Sequence, residues 1–160
     1  MDHATGHVSD FDFLAGDWTV VNRRLRQRWV GSNDWDEFSG TMRCRQHLGG
    51  VVNVDEMLCP DRGFSGMTVR VFDLALTRWS ISWINSTVGR MEPPVFGGFR
   101  HNVGRFAGYD TDGAVEIAVR FTWTVFDGDH ARWQQSFSKD LGVDGDEETN
   151  WIMEFTRVRA

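Results

Sequence analysis

Hydrophobic and polar residues alternate with a period of two along most of the chain after Gly16, which is typical of strands with one buried and one solvated face. The predicted strands cover residues 17–26, 36–48, 51–59, 64–73, 77–86, 102–109, 114–126, 130–138 and 148–158. Ser9 or Asp10 is placed to cap a short helix around residues 11–14. Because no long helical period is present to cover a sheet, the strands should form a barrel or sandwich. The sequence therefore predicts an all-β domain over residues 9–160, preceded by a flexible N-terminus over residues 1–8.

The first predicted hairpin turns at Gly49-Gly50, a dipeptide suited to a two-residue turn with positive φ. This turn pairs Leu48 with Val51 and sets Cys44 opposite Asp55 and Arg43 opposite Glu56. The face with Asp55 is expected to point inward, because the other face carries Arg43, Arg45 and His47. The reverse assignment, with Glu56, Arg43 and His47 inside, stays open. In this register Cys59 lies roughly 13 Å from Cys44, too far for a disulfide.

Two further hairpins have apolar faces that can be aligned. In the second, Met67, Val69 and Val71 are expected to share an inward face with Trp79, Ile81 and Trp83, leaving Thr68 and Arg70 outside. The third turns at residues 127–129 and pairs Trp123 with Trp133 and Phe121 with Gln135. Both hairpins direct tryptophans toward one buried face.

Composition and charge exclude several classes of partner. The net charge is −6 at pH 7, which argues against binding to nucleic acid. No segment has the roughly 18 consecutive apolar residues of a membrane-spanning helix. Residues 1–7 contain neither a basic nor an apolar segment of a secretory signal, and the two cysteines suit a reducing compartment, so we expect a cytoplasmic protein. A homodimer is left open.

The segment Phe13-Leu14-Ala15-Gly16-Asp17-Trp18 resembles the Gly-x-Trp motif that opens the first strand of lipocalin-like (calycin) barrels. Residues 150–155, Asn-Trp-Ile-Met-Glu-Phe, add to a likeness to an uncharacterised bacterial group of that type. The resemblance implies a single antiparallel barrel with a central cavity, and an Arg of the last strand packed on Trp18. Arg157 matches that position, with Arg159 as the alternative. Haem-binding relatives use a His near the C-terminus, and this chain has no His after His130, so no haem or other cofactor is expected.

The aromatic content is high, with eight Trp and twelve Phe, and the predicted inward faces collect many of these rings. Core packing alone could explain each ring, but a barrel of this size can also hold one small ligand. Polar residues on the same faces would orient that ligand. The predicted ligand-binding residues are Arg24, Asn53, Trp83, Phe121, Trp123, Trp133, Gln135 and Trp151.

Asp55 is the predicted catalytic residue if the cavity supports chemistry, because burial among aromatic rings would raise its pKa toward that of a general acid or base. An internal ion pair between Asp55 and Arg24 is the simpler alternative. The five histidines are scattered, so no metal site is predicted.

The segment 91–101 is predicted to be a loop, since Pro93-Pro94 and Gly97-Gly98 interrupt the strand pattern. Phe96 and Phe99 would cap the core or serve as a lid over the barrel mouth.

These observations favour binding of a small hydrophobic or aromatic molecule inside the barrel. The first alternative is a cofactor-free enzyme, an isomerase, cyclase or lyase, that uses a carboxylate in the same cavity. The second alternative is an interaction module that uses an open sheet edge.

Overall fold

The computed structural model describes residues 1–141 and 146–159, which form a closed antiparallel barrel of ten strands. The strands are β1 (Gly16–Leu25), β2 (Trp35–His47), β3 (Val52–Cys59), β4 (Phe64–Asp73), β5 (Arg78–Asn85), β6 (Val95–Arg100), β7 (Val103–Asp112), β8 (Val115–Val125), β9 (His130–Ser138) and β10 (Glu147–Arg157). Each strand pairs with its neighbours in the chain, and β1 pairs with β10 to close the ring. The all-β barrel predicted from the period-two pattern is confirmed.

Within the described residues, the only helical elements are three short 3₁₀ turns, at Asp12–Leu14, Leu48–Gly50 and Pro60–Arg62. None of the described residues belongs to a helix long and apolar enough to cross a membrane.

The first hairpin has the predicted register between β2 and β3, with Cys44 opposite Asp55 and Arg43 opposite Glu56. Asp55 is buried and Glu56 exposed, so the structure selects the inward face on which Asp55 lies. The predicted Leu48–Val51 pair is wrong, because the ladder ends at the preceding pair and residues 48–50 form a 3₁₀ turn. Leu48, Gly49 and Gly50 all have a positive φ, so the loop is wider than the predicted two-residue turn.

In the second hairpin the predicted inward face of β5 is confirmed, whereas that of β4 is wrong by one residue. β4 and β5 pair Thr68 with Trp83 and Arg70 with Ile81, so Thr68 and Arg70 point into the barrel. Met67 and Val71 are exposed instead. A shift of one residue moves every side chain to the opposite face of a strand.

The predicted loop 91–101 contains β6, so the interpretation of Gly97-Gly98 as an interruption of the strand pattern is wrong. A Cβ atom at Gly97 would lie against the backbone of Arg105, and one at Gly98 would lie 2.6 Å from the backbone of Thr5. These glycines permit close packing of backbone on both sides of β6. Phe99 packs at 5.2 Å from Phe11, in the core rather than over the mouth.

The N-terminal segment closes one end of the barrel. The predicted short helix is a single 3₁₀ turn at Asp12–Leu14, with no side-chain cap from Ser9 or Asp10. Asp10 instead accepts hydrogen bonds from the backbone amides of His7 (3.0 Å) and Phe99 (3.1 Å). The segment also ties residue Gly6 to the barrel, through a 2.8 Å hydrogen bond from its amide to the carbonyl of Thr77.

Arg157 lies over Trp18 at this closed end, with its guanidinium carbon 4.2 Å from the ring centroid. The same guanidinium donates hydrogen bonds to the carbonyl oxygens of Gly128 (2.9 Å), Ala15 (2.7 Å) and Phe13. Trp18 donates from Nε1 to the carbonyl of Leu14 at 2.8 Å. The contact predicted from the lipocalin-like motif is therefore present.

Candidate ligand-binding site

The open half of the barrel encloses a cavity of about 280 Å³. Of the predicted ligand-binding residues, all but Asn53 line it, and so does Asp55. Residues outside the predicted ligand-binding set also line it, and they include Met57, Thr68, Arg70, Ile81, Asn85, Glu92, Asp110, Phe137, Asn150, Met153 and Phe155. The cavity is thus bounded by an aromatic wall and by polar and charged side chains, which make up about half of its lining residues.

Trp151 is the centre of the aromatic wall. Its ring contacts those of Phe64 (6.2 Å), Trp83 (6.1 Å) and Trp133 (5.9 Å) in edge-to-face geometry. Its Nε1 donates a 3.0 Å hydrogen bond to Oδ1 of buried Asn22. These contacts fix the indole, because edge-to-face pairs and a satisfied ring nitrogen leave few alternative orientations. Phe121 extends the wall through its 4.9 Å contact with Trp133.

Trp83 reaches its position because its diagonal neighbour on β4, Gly66, has no side chain. A Cβ atom built at Gly66 would lie 1.8 Å from the Trp83 ring. The indole therefore lies directly against the β4 backbone, where only glycine leaves enough room.

A buried ion pair lies in the wall toward the closed end. Arg70 Nη2 lies 2.6 Å from Asp55 Oδ2, and each side chain is less than 5% exposed. Asn53 is buried outside the cavity, and its Oδ1 accepts a 2.9 Å hydrogen bond from Arg70 Nη1. The predicted pairing of Asp55 with Arg24 is therefore wrong. The inward face of β4 is the one opposite to the predicted face, so Arg70 points into the barrel and pairs with Asp55 instead.

The environment of Asp55 has opposing effects on its charge. Burial raises the pKa of the carboxyl group, while the ion pair with Arg70 and hydrogen bonds with Thr68 counteract part of this increase. Asp55 lines the cavity, but its carboxylate is engaged by Arg70. Its first role in this structure is to neutralise a buried guanidinium.

The two cysteines are free and buried. Burial raises the pKa of each thiol to about 11, so both are protonated at neutral pH. Neither belongs to a candidate nucleophilic site.

Arg24 lies in the cavity wall on β1 and is surrounded by rings. Its guanidinium carbon lies 5.1 Å from the ring centroid of Phe38, 5.3 Å from that of Phe64 and 5.1 Å from that of Trp151. Partial burial lowers the pKa of Arg24 from its ordinary value, although the group stays charged at neutral pH.

A β-bulge in β10 brings a second polar group to the wall beside Trp151. The register between β10 and β9 shifts between Thr149 and Trp151, so Asn150 and Trp151 both line the cavity. Asn150 accepts a 2.8 Å hydrogen bond from Gln135 Nε2. Bulges commonly redirect side chains in this way next to binding sites.

The β1–β2 loop covers part of the cavity mouth. Arg28 forms a bidentate pair with Asp112 at 2.6 and 2.9 Å, and Trp29 Nε1 donates to the same carboxylate at 2.8 Å. The Trp29 amide also hydrogen-bonds Glu148 at 3.0 Å. These contacts join the loop to β7 and β10 across the opening.

Sequence reasoning missed Arg70 and Asn150, for different reasons. Both faces of β4 contain apolar residues, so alternation alone did not identify the inward one; the spacing between Asp73 and Arg78, which form the last pair of the ladder, was the available clue. A bulge leaves no clear pattern in a single sequence, and nothing before residue 150 marks it.

No protein-family model matches the chain, and no curated protein matches it at a significant level. In the part of the chain that the structure describes, no group of three or more His, Cys, Asp or Glu side chains is arranged to hold a metal ion. The fold and site define the class of this protein: a closed ten-strand antiparallel β-barrel, compatible with a lipocalin-like fold, with an internal aromatic cavity.

Proposed function

We propose that this protein is a lipocalin-like binding protein that holds one small, largely apolar molecule with an aromatic ring inside the barrel. The observation that carries this proposal is the aromatic cavity of about 280 Å³. Trp83, Phe121 and Trp151 line it and are only partly buried, although all three point inward. Aromatic surface left uncovered by protein in a concave site is a favourable environment for a flat apolar ligand.

The size of the cavity limits the ligand. At the packing density of protein interiors, about 0.74, a space of about 280 Å³ holds a molecule of about 210 Å³. That volume suits one or two rings with a small substituent.

Turnover is not part of this proposal. The enzyme alternative requires Asp55 to act as a general acid or base, and its carboxylate is ion-paired with Arg70. The enzyme alternative stays a prediction, as does the homodimer.

Calorimetric titration with three neutral probes, naphthalene, 2-naphthol and 2-naphthamide, tests the proposal. We expect one molecule bound per chain, with a Kd of about 1 mM for 2-naphthamide, because about 0.3 kcal/mol for each of its roughly 13 non-hydrogen atoms gives about 4 kcal/mol. Binding should also quench tryptophan emission, since four tryptophans line the cavity. Absence of binding by all three probes up to their solubility limits would contradict the proposal.

A further inference from the structure

Arg24 is a charged group in the cavity wall without a directly paired countercharge. Its guanidinium forms no ion pair or hydrogen bond with any residue within 1–141 or 146–159, and it lies against three aromatic rings, while Asp36 acts on it only through space. Cation–π contacts stabilise the charge but leave the five N–H donors without acceptors. A partly buried guanidinium of this kind is suited to a ligand acceptor.

The nearest carboxylate on the pairing strand is already engaged. Asp36 lies opposite Arg24 in the β1–β2 ladder. It accepts hydrogen bonds from Arg62 at 2.5 and 2.8 Å, and Arg26 lies 3.4 Å away. Asp36 therefore makes no direct contact with Arg24, whose guanidinium stays available to an anionic ligand.

Asn150 provides an independent second observation. It is 3% exposed and lines the cavity, and its Nδ2 has no hydrogen-bond partner among the described residues. A buried donor without an acceptor destabilises the empty site, and a ligand acceptor would remove that cost. Asn150 is adjacent in sequence to Trp151, whose ring packs against the Arg24 guanidinium. Two donor groups without acceptors thus flank the same indole.

We propose that the ligand is an aromatic monocarboxylate whose carboxylate binds Arg24 and Asn150, while its ring packs against Trp151 and Trp133. This proposal rests on the proposed function and adds the charge and orientation of the ligand. Glu92 and Asp110 line the opposite side of the cavity, because their segments adjoin β6 and β7, across the ten-strand ring from β1. Repulsion by these acids disfavours the reverse orientation.

The test compares 2-naphthoate with its neutral analogue 2-naphthamide at pH 7 by calorimetry. The wild-type protein should bind the acid at least tenfold more tightly than the amide. Arg24→Met should remove this preference, because it removes the cation and keeps an apolar side chain of similar length. Asn150→Ala should weaken acid binding severalfold, and Arg24→Lys should retain part of the preference because it keeps the charge without the planar fork.

Arg23→Met is the matched control, since Arg23 lies one residue away on the outer face and contacts Trp35 at 5.2 Å. It should leave both affinities unchanged. Binding of neither probe would contradict the proposed function. Equal binding of both probes by the wild type, or an undiminished acid preference in Arg24→Met, would overturn the present inference alone. If Arg24→Met does not fold, as judged by circular dichroism, the same decision rests on Arg24→Lys and Asn150→Ala.

Discussion

Arg70 and Asp55 form an ion pair at 2.6 Å inside the barrel, on adjacent strands that both contribute to the cavity wall. Asn53 receives a second bond from the same guanidinium, and the Arg70 guanidinium carbon lies 5.0 Å from the ring of Phe11. The pair therefore connects the ligand cavity with the N-terminal segment that closes the barrel. Each charge is compensated by the other, because neither side chain is reached by bulk solvent.

Arg70→Met is expected to destabilise the protein by about 3–5 kcal/mol at pH 7, because it leaves Asp55 ionised and unpaired in the interior. Removal of Arg70 also leaves burial as the dominant effect on Asp55, so the pKa of this carboxyl group should rise further above its ordinary value of 3.8. An acid with a raised pKa in the folded state destabilises the fold only above its unfolded-state pKa. The loss in unfolding free energy should therefore shrink as the pH falls toward 4.

The measurement is urea unfolding of both proteins between pH 4 and pH 8. The double variant Asp55→Asn with Arg70→Met is the control, because it removes both charges and should be more stable than Arg70→Met alone. A stability loss in Arg70→Met that does not change with pH would show that the ion pair is not the cause.

Arg157→Ala should lower the free energy of unfolding by about 2–4 kcal/mol. The variant loses the cation–π contact with Trp18 and leaves the carbonyl acceptors of Ala15 and Gly128 without their donor. Arg157 does not line the cavity, so affinity for 2-naphthamide should be unchanged. Arg159→Ala is the matched control: its pair with Asp129 is exposed, and its loss should cost less than about 1 kcal/mol. Equal melting temperatures for the two variants would contradict the role of Arg157 in closure.

The outcome for the three hairpins shows which features of the fold are encoded locally. The third hairpin could be predicted because its outer face carries polar residues at each position from Arg120 to Thr124, so only one face can be buried. The β4–β5 hairpin could not, because apolar residues occur on both faces and the four-residue turn sets the register. The aromatic wall of the cavity was therefore predicted, whereas Arg70, the buried partner of Asp55, was not.

β6 and the bulge at Asn150 show a second limit. The sequence Phe96-Gly97-Gly98-Phe99 has few strand-forming residues, and it becomes a strand because β7 and the N-terminal segment pack closely on its glycines. This is a tertiary effect that a local pattern does not contain. Arg24, by contrast, was predicted correctly as an inward residue of β1, because the alternation from Trp18 to Arg24 is unbroken.

Glu92→Gln should stabilise the protein at neutral pH. Partial burial and the charge of Asp110 raise the pKa of Glu92 above its ordinary value of 4.5, although Arg90 lowers it in part. Ionised Glu92 therefore opposes folding at pH values above its folded-state pKa, and this penalty disappears below about pH 4.5, where both states are protonated. Thermal unfolding should show a higher melting temperature for Glu92→Gln at pH 7 and equal values near pH 4. An advantage that persists at pH 4 would point to packing rather than charge.

Gly66→Ala should reduce ligand affinity by changing the position of one ring. A Cβ atom at residue 66 would overlap the Trp83 indole at 1.8 Å, and the β4 backbone blocks movement of that ring toward the wall. Trp83 must therefore shift into the cavity, which it lines, and remove part of the space available to a bicyclic ligand. We expect affinity for 2-naphthamide to fall at least tenfold, together with a shift in tryptophan emission. Gly128→Ala is the control, since a Cβ atom there meets no atom within 4 Å, and it should leave affinity and emission unchanged. If a folded Gly66→Ala protein bound 2-naphthamide with wild-type affinity, the probe could not occupy the part of the cavity beside Trp83, and this prediction would be wrong.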